Sequence, residues 1–128
     1  MLLILPPCIY TFLTLLDELH PAKMKLNALQ IKTLVAAVPK WQFVPAITDN
    51  ACDKLTRKYQ FRSFEESWCF LTRVAMKSHK LGHHPLIKNL YNVVELELTT
   101  HDVQGLSELD FKMAKSIEKA ANQLGVKD

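Results

Sequence analysis

His83-His84-Pro85 and, sixteen positions beyond Pro85, His101 are the residues whose types and spacing best suit chemistry. The chain has 5 histidines, and four of them (His79, His83, His84 and His101) crowd one stretch. Imidazole gives and takes protons near neutral pH, and it is also a common metal ligand. The cluster therefore raises two chemistries, proton transfer and metal binding.

The metal reading turns on His79 and His83. On a continuous helix their four-residue spacing puts both rings on one face, as a zinc site requires. Gly82 between them reads as a helix C-cap, which moves His83 and His84 into the loop beyond. The sequence has no HExxH, and no cysteine close enough for a mixed site. A second reading makes these loop and surface histidines without function. The third is metal-free acid–base catalysis, with two imidazoles from one loop and a third from a strand end converging on a small polar substrate. One would protonate a leaving hydroxyl while another removes a proton, each step worth about 10²–10⁴ in rate. This third reading fits best. No serine or cysteine stands in a nucleophile motif, and the 3 glycines are scattered rather than gathered in a phosphate loop.

The elements that must position these rings are legible in the pattern. Asn27 to Gln30 is an N-cap with its capping-box partner, followed by an apolar face of Leu26, Leu29, Leu34 and Val38; Pro39 stops that helix. Trp41 to Val44 is a short strand and Pro45 to Asp53 a polar turn. From Lys54 to Phe61, Leu55, Arg57, Tyr59 and Phe61 alternate with polar residues as a half-buried strand. Ser63 to Glu66 is a second capping box, opening a helix with Phe64, Trp68, Leu71 and Ala75 on its inward stripe. Asn89 to Thr99 reads as one strand with Leu90, Val94, Leu96 and Leu98 inward. Ser107 to Asp110 is a third capping box, and the last helix turns Leu109, Met113, Ile117, Ala120, Ala121 and Leu124 inward until Gly125 ends it. Helix, strand, strand, helix, strand, helix is not a βαβ repeat, so an α+β antiparallel sheet with helices on one face is expected.

Composition narrows the class. A chain of 128 residues, 48% hydrophobic and 23% charged, suits one globular domain with its own core. A net charge of +3 from dispersed basic residues gives no nucleic-acid footprint. Cys8, Cys52 and Cys69 are an odd number without CxxC spacing, which argues for a reducing, intracellular compartment. Cys69 lies in an apolar helical pattern and reads as a small core residue.

Leu2 to Leu16 is almost wholly apolar, with no Lys or Arg before Lys23 and with Asp17-Glu18 after it. It lacks the positive start of a secretory signal and the arginines of a mitochondrial presequence. At about 15 residues it is short of the roughly 20 a membrane helix needs. Two readings stay open: an atypical targeting segment, which leaves cytoplasm and mitochondrion both possible, or an extension that packs on the domain or frays. Secretion is not expected. Met24 is a candidate second start, so the chain divides into an extension, 1–24, and a domain, 25–128.

With these elements placed, His83-His84-Pro85, Tyr91-Asn92, His101 and Gly105-Leu-Ser-x-x-Asp110 together resemble the signature of the pterin-4a-carbinolamine dehydratases. Trp41, Phe61-x-x-Phe64 and Phe70-Leu-Thr-Arg-Val-Ala75 extend the likeness over roughly residues 25 to 124. The resemblance implies a four-stranded antiparallel sheet with three helices on one side; the fourth strand would come from splitting or extending one of the three read above. It also implies dehydration of 4a-hydroxytetrahydrobiopterin to quinonoid dihydrobiopterin and water, the recycling of tetrahydrobiopterin, with no cofactor and no metal. The implied partners are the pterin and further copies of the chain, as a homodimer or homotetramer, with neither nucleic acid nor membrane bound directly.

Carried over by position, the catalytic histidines are His83, His84 and His101, with His84 as principal base or proton relay and the others as binding groups and acid. His79, Pro85 and Asp110 fall on substrate-binding positions, although Asp110 serves equally well as the partner of Ser107 in a helix cap. The chain departs from the usual pattern at His79, where an acid is common, at Gly82, where Asp or Asn is common, and at Leu86-Ile87-Lys88, where an acid and an aromatic are frequent. Those departures keep an alternative in view, a catalytically weak member that acts as a dimerisation or protein-interaction cofactor.

Overall fold

The computed structural model describes residues 23–127. The expectations for Leu2 to Leu16 and Cys8 fall outside the described residues.

Helix α1 (Ala28–Val35) begins where the sequence places it. Asn27 Oδ1 accepts the Gln30 N–H at 2.9 Å, and the Gln30 side chain accepts the Asn27 N–H at 3.0 Å. Its buried residue is Ile31; of the expected face, Leu26 and Val38 are buried and Leu34 packs partly buried against the core, while Leu29 stands 74% exposed. Strand β1 (Gln42–Val44) follows, and β2 (Lys54–Gln60) buries Leu55 and Tyr59 on its inner face. Arg57 shares that face by laying its guanidinium 4.8 Å from the Tyr59 ring centroid.

Helix α2 (Phe64–Leu81) corrects three expectations. Ser63 Oγ accepts the Glu66 N–H, but the Glu66 carboxylate takes the N–H of Arg62 instead of Ser63, so only half the capping box forms. The inward stripe is Ser67, Phe70, Leu71, Val74, Ser78 and Leu81, while Phe64 and Trp68 are 48% and 50% exposed and Ala75 faces out. Cys69 is exposed rather than in the core. Two serines explain the difference. Ser78 Oγ donates to Val74 O at 2.7 Å and Ser67 Oγ to Phe64 O at 2.7 Å, so both hydroxyls are satisfied inside. A stripe containing them buries at little cost and brings Phe70 against Phe61 and Tyr59, with ring centroids 4.9 and 5.0 Å apart.

The stretch expected to be one strand is a hairpin. Strand β3 (Leu86–Leu90) and β4 (Val93–Leu98) pair antiparallel, with Leu90 opposite Val93 and the chain reversing through Tyr91-Asn92. Tyr91 takes φ 52, in the left-handed region, and Asn89 Nδ2 holds the turn through Tyr91 O and Val93 O. The fourth strand therefore comes from the residues directly after Pro85, and Leu90 is exposed instead of inward. All neighbours in the order β1-β2-β4-β3 are antiparallel. After β4, His101–Val103 forms a 3₁₀ turn and Glu108–Gln123 forms α3, with Leu109, Met113, Ile117 and Ala121 buried as expected. The architecture is the expected α+β one, three helices and a four-stranded antiparallel sheet around one core. Among the described residues, no helix is long and apolar enough to cross a membrane.

Candidate active site

The exit of α2 decides where the histidine pair goes. Gly82 adopts φ 59, a left-handed conformation that costs glycine little, and its N–H returns to His79 O at 3.2 Å. The His83 N–H then closes on Ser78 O at 3.1 Å. This tight reversal sends the His83 ring inward, to 7% exposure, and leaves His84 in solvent.

Beneath His83 lies Asp110, wholly buried in the first turn of α3. His83 Nε2 is 2.6 Å from Asp110 Oδ1. The second carboxylate oxygen accepts the Thr100 hydroxyl at 2.7 Å and the Ser107 backbone N–H at 2.9 Å. Ser107 Oγ is in turn 2.7 Å from Thr100 Oγ, and since Thr100 donates to Asp110, Ser107 donates to Thr100. A buried carboxylate is tolerable only with such a set of donors. With two other donors already on it, Asp110 acts as acceptor toward His83 as well, so Nε2 carries the proton and Nδ1 is left for other work.

One network thus joins three elements: the α2 exit through His83, the end of β4 through Thr100, and the N-terminus of α3 through Ser107 and Asp110. His101 follows Thr100 directly and is exposed at the start of the 3₁₀ turn, not on the strand itself. A Thr100 N–H to Gly105 O bond of 2.8 Å closes that loop. Asp102, on the same turn, pairs with Lys23 at 2.9 Å. Lys23 holds the Asp102 carboxyl below the usual carboxylate range, and His101 and His83 add smaller pulls in the same direction.

Of the residues singled out from sequence, His83 and Asp110 touch, and His84 and His101 adjoin the network through their chain neighbours His83 and Thr100. Pro85, half-buried, leads from the pair into β3, and His79 is exposed on the last turn of α2. Thr100 and Asp102, which flank His101, carry no motif of their own, whereas Ser107 belongs both to the helix cap and to the Gly105-Leu-Ser-x-x-Asp110 signature. Among the described residues, no three His, Cys, Asp or Glu side chains gather as a metal site would need. A cavity of about 660 Å³, lined by Val38, Trp41 and Glu118 among others, lies toward the opposite end of α3 and includes none of these histidines.

Comparison with known proteins gives this arrangement a family. The model of the pterin 4 alpha carbinolamine dehydratase family matches residues 24–120. A Rhizobium leguminosarum bv. trifolii protein, provisionally named a pterin-4-alpha-carbinolamine dehydratase, is 40% identical over 106 residues, covering 80% of this chain and 100% of its own. A Synechococcus protein with the same provisional name is 42% identical over 87 residues, 68% of this chain and 86% of its own. Among solved structures, a transcriptional coactivator/pterin dehydratase from Brucella melitensis superposes with a TM-score of 0.69 at 33% identity, covering 77% of this chain and 99% of that one. A pterin dehydratase-like protein identified as a RuBisCO assembly factor of the alpha-carboxysome has a TM-score of 0.54 at 20% identity over 64% of this chain and 89% of that one, and shares the fold alone. The chain belongs to the pterin-4α-carbinolamine dehydratase family.

Proposed function

We propose that this chain dehydrates 4a-hydroxytetrahydrobiopterin, using His83, His84 and His101 as its acid–base groups. The observation that carries the reading is the buried Asp110 carboxylate on His83 Nε2, with exposed imidazoles adjoining the same network. In the reaction the C4a–O bond breaks, the hydroxyl leaves as water after gaining a proton, and N5 loses its proton as the C4a=N5 double bond forms. Atoms and charge balance without an added cofactor. His84, in solvent and free to turn, is the principal base or relay. His83, fixed by Asp110, and His101, on the turn after β4, bind the substrate and supply the acid. Pro85 and His79 line the approach, and Asp110, having no exposed surface, acts on the pterin through His83.

The test is a dehydration assay with purified protein and 4a-hydroxytetrahydrobiopterin. The wild-type chain should exceed the spontaneous rate, and His84→Ala and His101→Ala should each lose about 10²–10⁴ in kcat/KM. A wild-type rate equal to the spontaneous one defeats the reading.

A second reading, a protein-interaction role, draws on the exposed apolar side chains. Phe64 and Trp68 meet edge to face on the outer side of α2 with centroids 6.0 Å apart, and Leu90 and Tyr91 are 81% and 63% exposed on the β3–β4 turn. Such a surface suits a homodimer or homotetramer or a foreign partner. Light scattering of wild type and Trp68→Glu distinguishes them: self-association through this face gives a smaller particle in the variant.

A further inference from the structure

Residues 23 to 26 run beside the turn that carries His101 and touch it three times. Lys23 Nζ reaches Asp102 Oδ2 at 2.9 Å. The Lys25 side chain crosses Gly105 so closely that a Cβ there would stand 2.9 Å from Lys25 Cε. The Leu26 N–H donates to Leu106 O at 2.9 Å. The last two contacts fix the backbone of the strap against residues 105 and 106. Of the three, the Lys23 contact is the one to Asp102, beside His101 in the chain.

So exposed a pair, with side chains 44% and 67% accessible, adds little to stability. Its effect is local and electrostatic. We propose that Lys23 is a positioning residue: through Asp102 it holds the His101 turn and cancels the carboxylate charge that would otherwise act on the imidazoles of His101 and His83. This rests on the reading of those histidines as proton carriers. Asp102 feels Lys23 most strongly, then His101 and His83, and His83 itself faces the buried Asp110 carboxylate at 2.6 Å. An uncompensated carboxylate beside an imidazole favours its protonated form.

The experiment is a proton-NMR titration of the histidine ring signals in the full chain, assigned with single His→Gln variants, alongside pH–rate profiles. Lys23→Gln should move the His101 midpoint upward by about half a unit, with a smaller upward move for His83. The limb of the kcat/KM profile that depends on these rings should move the same way. Lys23→Arg should restore the wild-type midpoints, and in an Asp102→Asn background Lys23→Gln should change nothing. Unchanged midpoints in Lys23→Gln, the same shift in the Asp102→Asn background, or failure of Lys23→Arg to restore them overturns the proposal. The ring titrations need no turnover, so a protein inactive toward the pterin still decides the role of Lys23, and the two failures separate.

Discussion

Asp110 Oδ1 stands 2.6 Å from His83 Nε2 across 27 positions of chain, and both residues are buried. The pair fixes the orientation of a histidine that otherwise hangs on a loop. It also ties the α2 exit to the first turn of α3.

Asp110→Asn keeps the shape of the side chain but sets an amide among three donors. The imidazole loses its orientation and at least one donor loses its acceptor. We expect kcat to fall about 10- to 100-fold, the loss found when a carboxylate that orients a metal-ligating histidine is removed. Unfolding free energy should fall by about 1–3 kcal/mol. Steady-state kinetics and urea melts read the two effects, and an unchanged kcat refutes the orienting role.

Thr100→Val removes the hydroxyl between Ser107 and Asp110 while keeping its volume. Ser107 Oγ and Asp110 Oδ2 each lose a partner inside the protein. A destabilisation of about 1–3 kcal/mol is expected, and Thr100→Ser should recover most of it. Urea denaturation with a common m-value checks this; equal stability of the Val and Ser variants would show the hydroxyl idle.

The sequence makes the histidines legible because their spacing survives folding: Gly82 stops α2 where it must, and the pair falls in the loop. The three cap positions, Asn27, Ser63 and Ser107, also mark the helix starts, because those signals are local. What the sequence hides is non-local. Hydrophobicity draws the α2 stripe through Phe64 and Trp68, yet the core takes Ser67 and Ser78, whose hydroxyls find carbonyls that only the folded helix offers. The β3–β4 turn leaves no local mark because Tyr91-Asn92 has no glycine to announce a left-handed residue. Asp110 could be read as cap or binding group, and only tertiary contact shows the carboxylate serving the cap and His83 together.

The corrected stripe of α2 makes a contrast that size alone would not suggest. Phe70, wholly buried against Phe61 and Tyr59, should cost about 3–5 kcal/mol as Phe70→Ala. Trp68→Ala, on the open side of the same helix, should stay within about 1 kcal/mol in dilute protein. Thermal melts at low concentration decide it, and a larger loss at Trp68 would restore the stripe read from sequence.

Glu97 sits between Lys54 at 2.9 Å and Lys88 at 3.1 Å on the outer face of the sheet. The hydrogen bond from Lys54, aided by Lys88, holds its carboxyl below the usual range. A depressed folded pKa means stability that is present above the unfolded value of about 4.3 and is lost as pH falls through the folded one. The acid limb of the stability curve should therefore be shallower in Glu97→Gln, and added salt should narrow the difference. Identical acid limbs for wild type and variant would exclude any contribution from this triad.

Tyr59 carries the opposite sign at the other end of the pH scale. Burial, followed by the hydrogen bond it donates to Glu118 at 2.8 Å, pushes its phenol well above the ordinary tyrosine range. A raised folded pKa gives stability that is complete below the unfolded value of about 10 and is lost as pH rises beyond it. The chain has 3 tyrosines, Tyr10, Tyr59 and Tyr91. We expect the Tyr59 phenolate to form only as the protein unfolds, with its absorbance step coinciding with the loss of circular dichroism. Tyr59→Phe should remove that coincident step and flatten the alkaline limb, while lowering stability near neutral pH by about 1–3 kcal/mol because Glu118 loses a buried donor. A Tyr59 phenolate that forms below the unfolding transition would show that water reaches the ring, and with it that the contact between β2 and α3 opens in the native state.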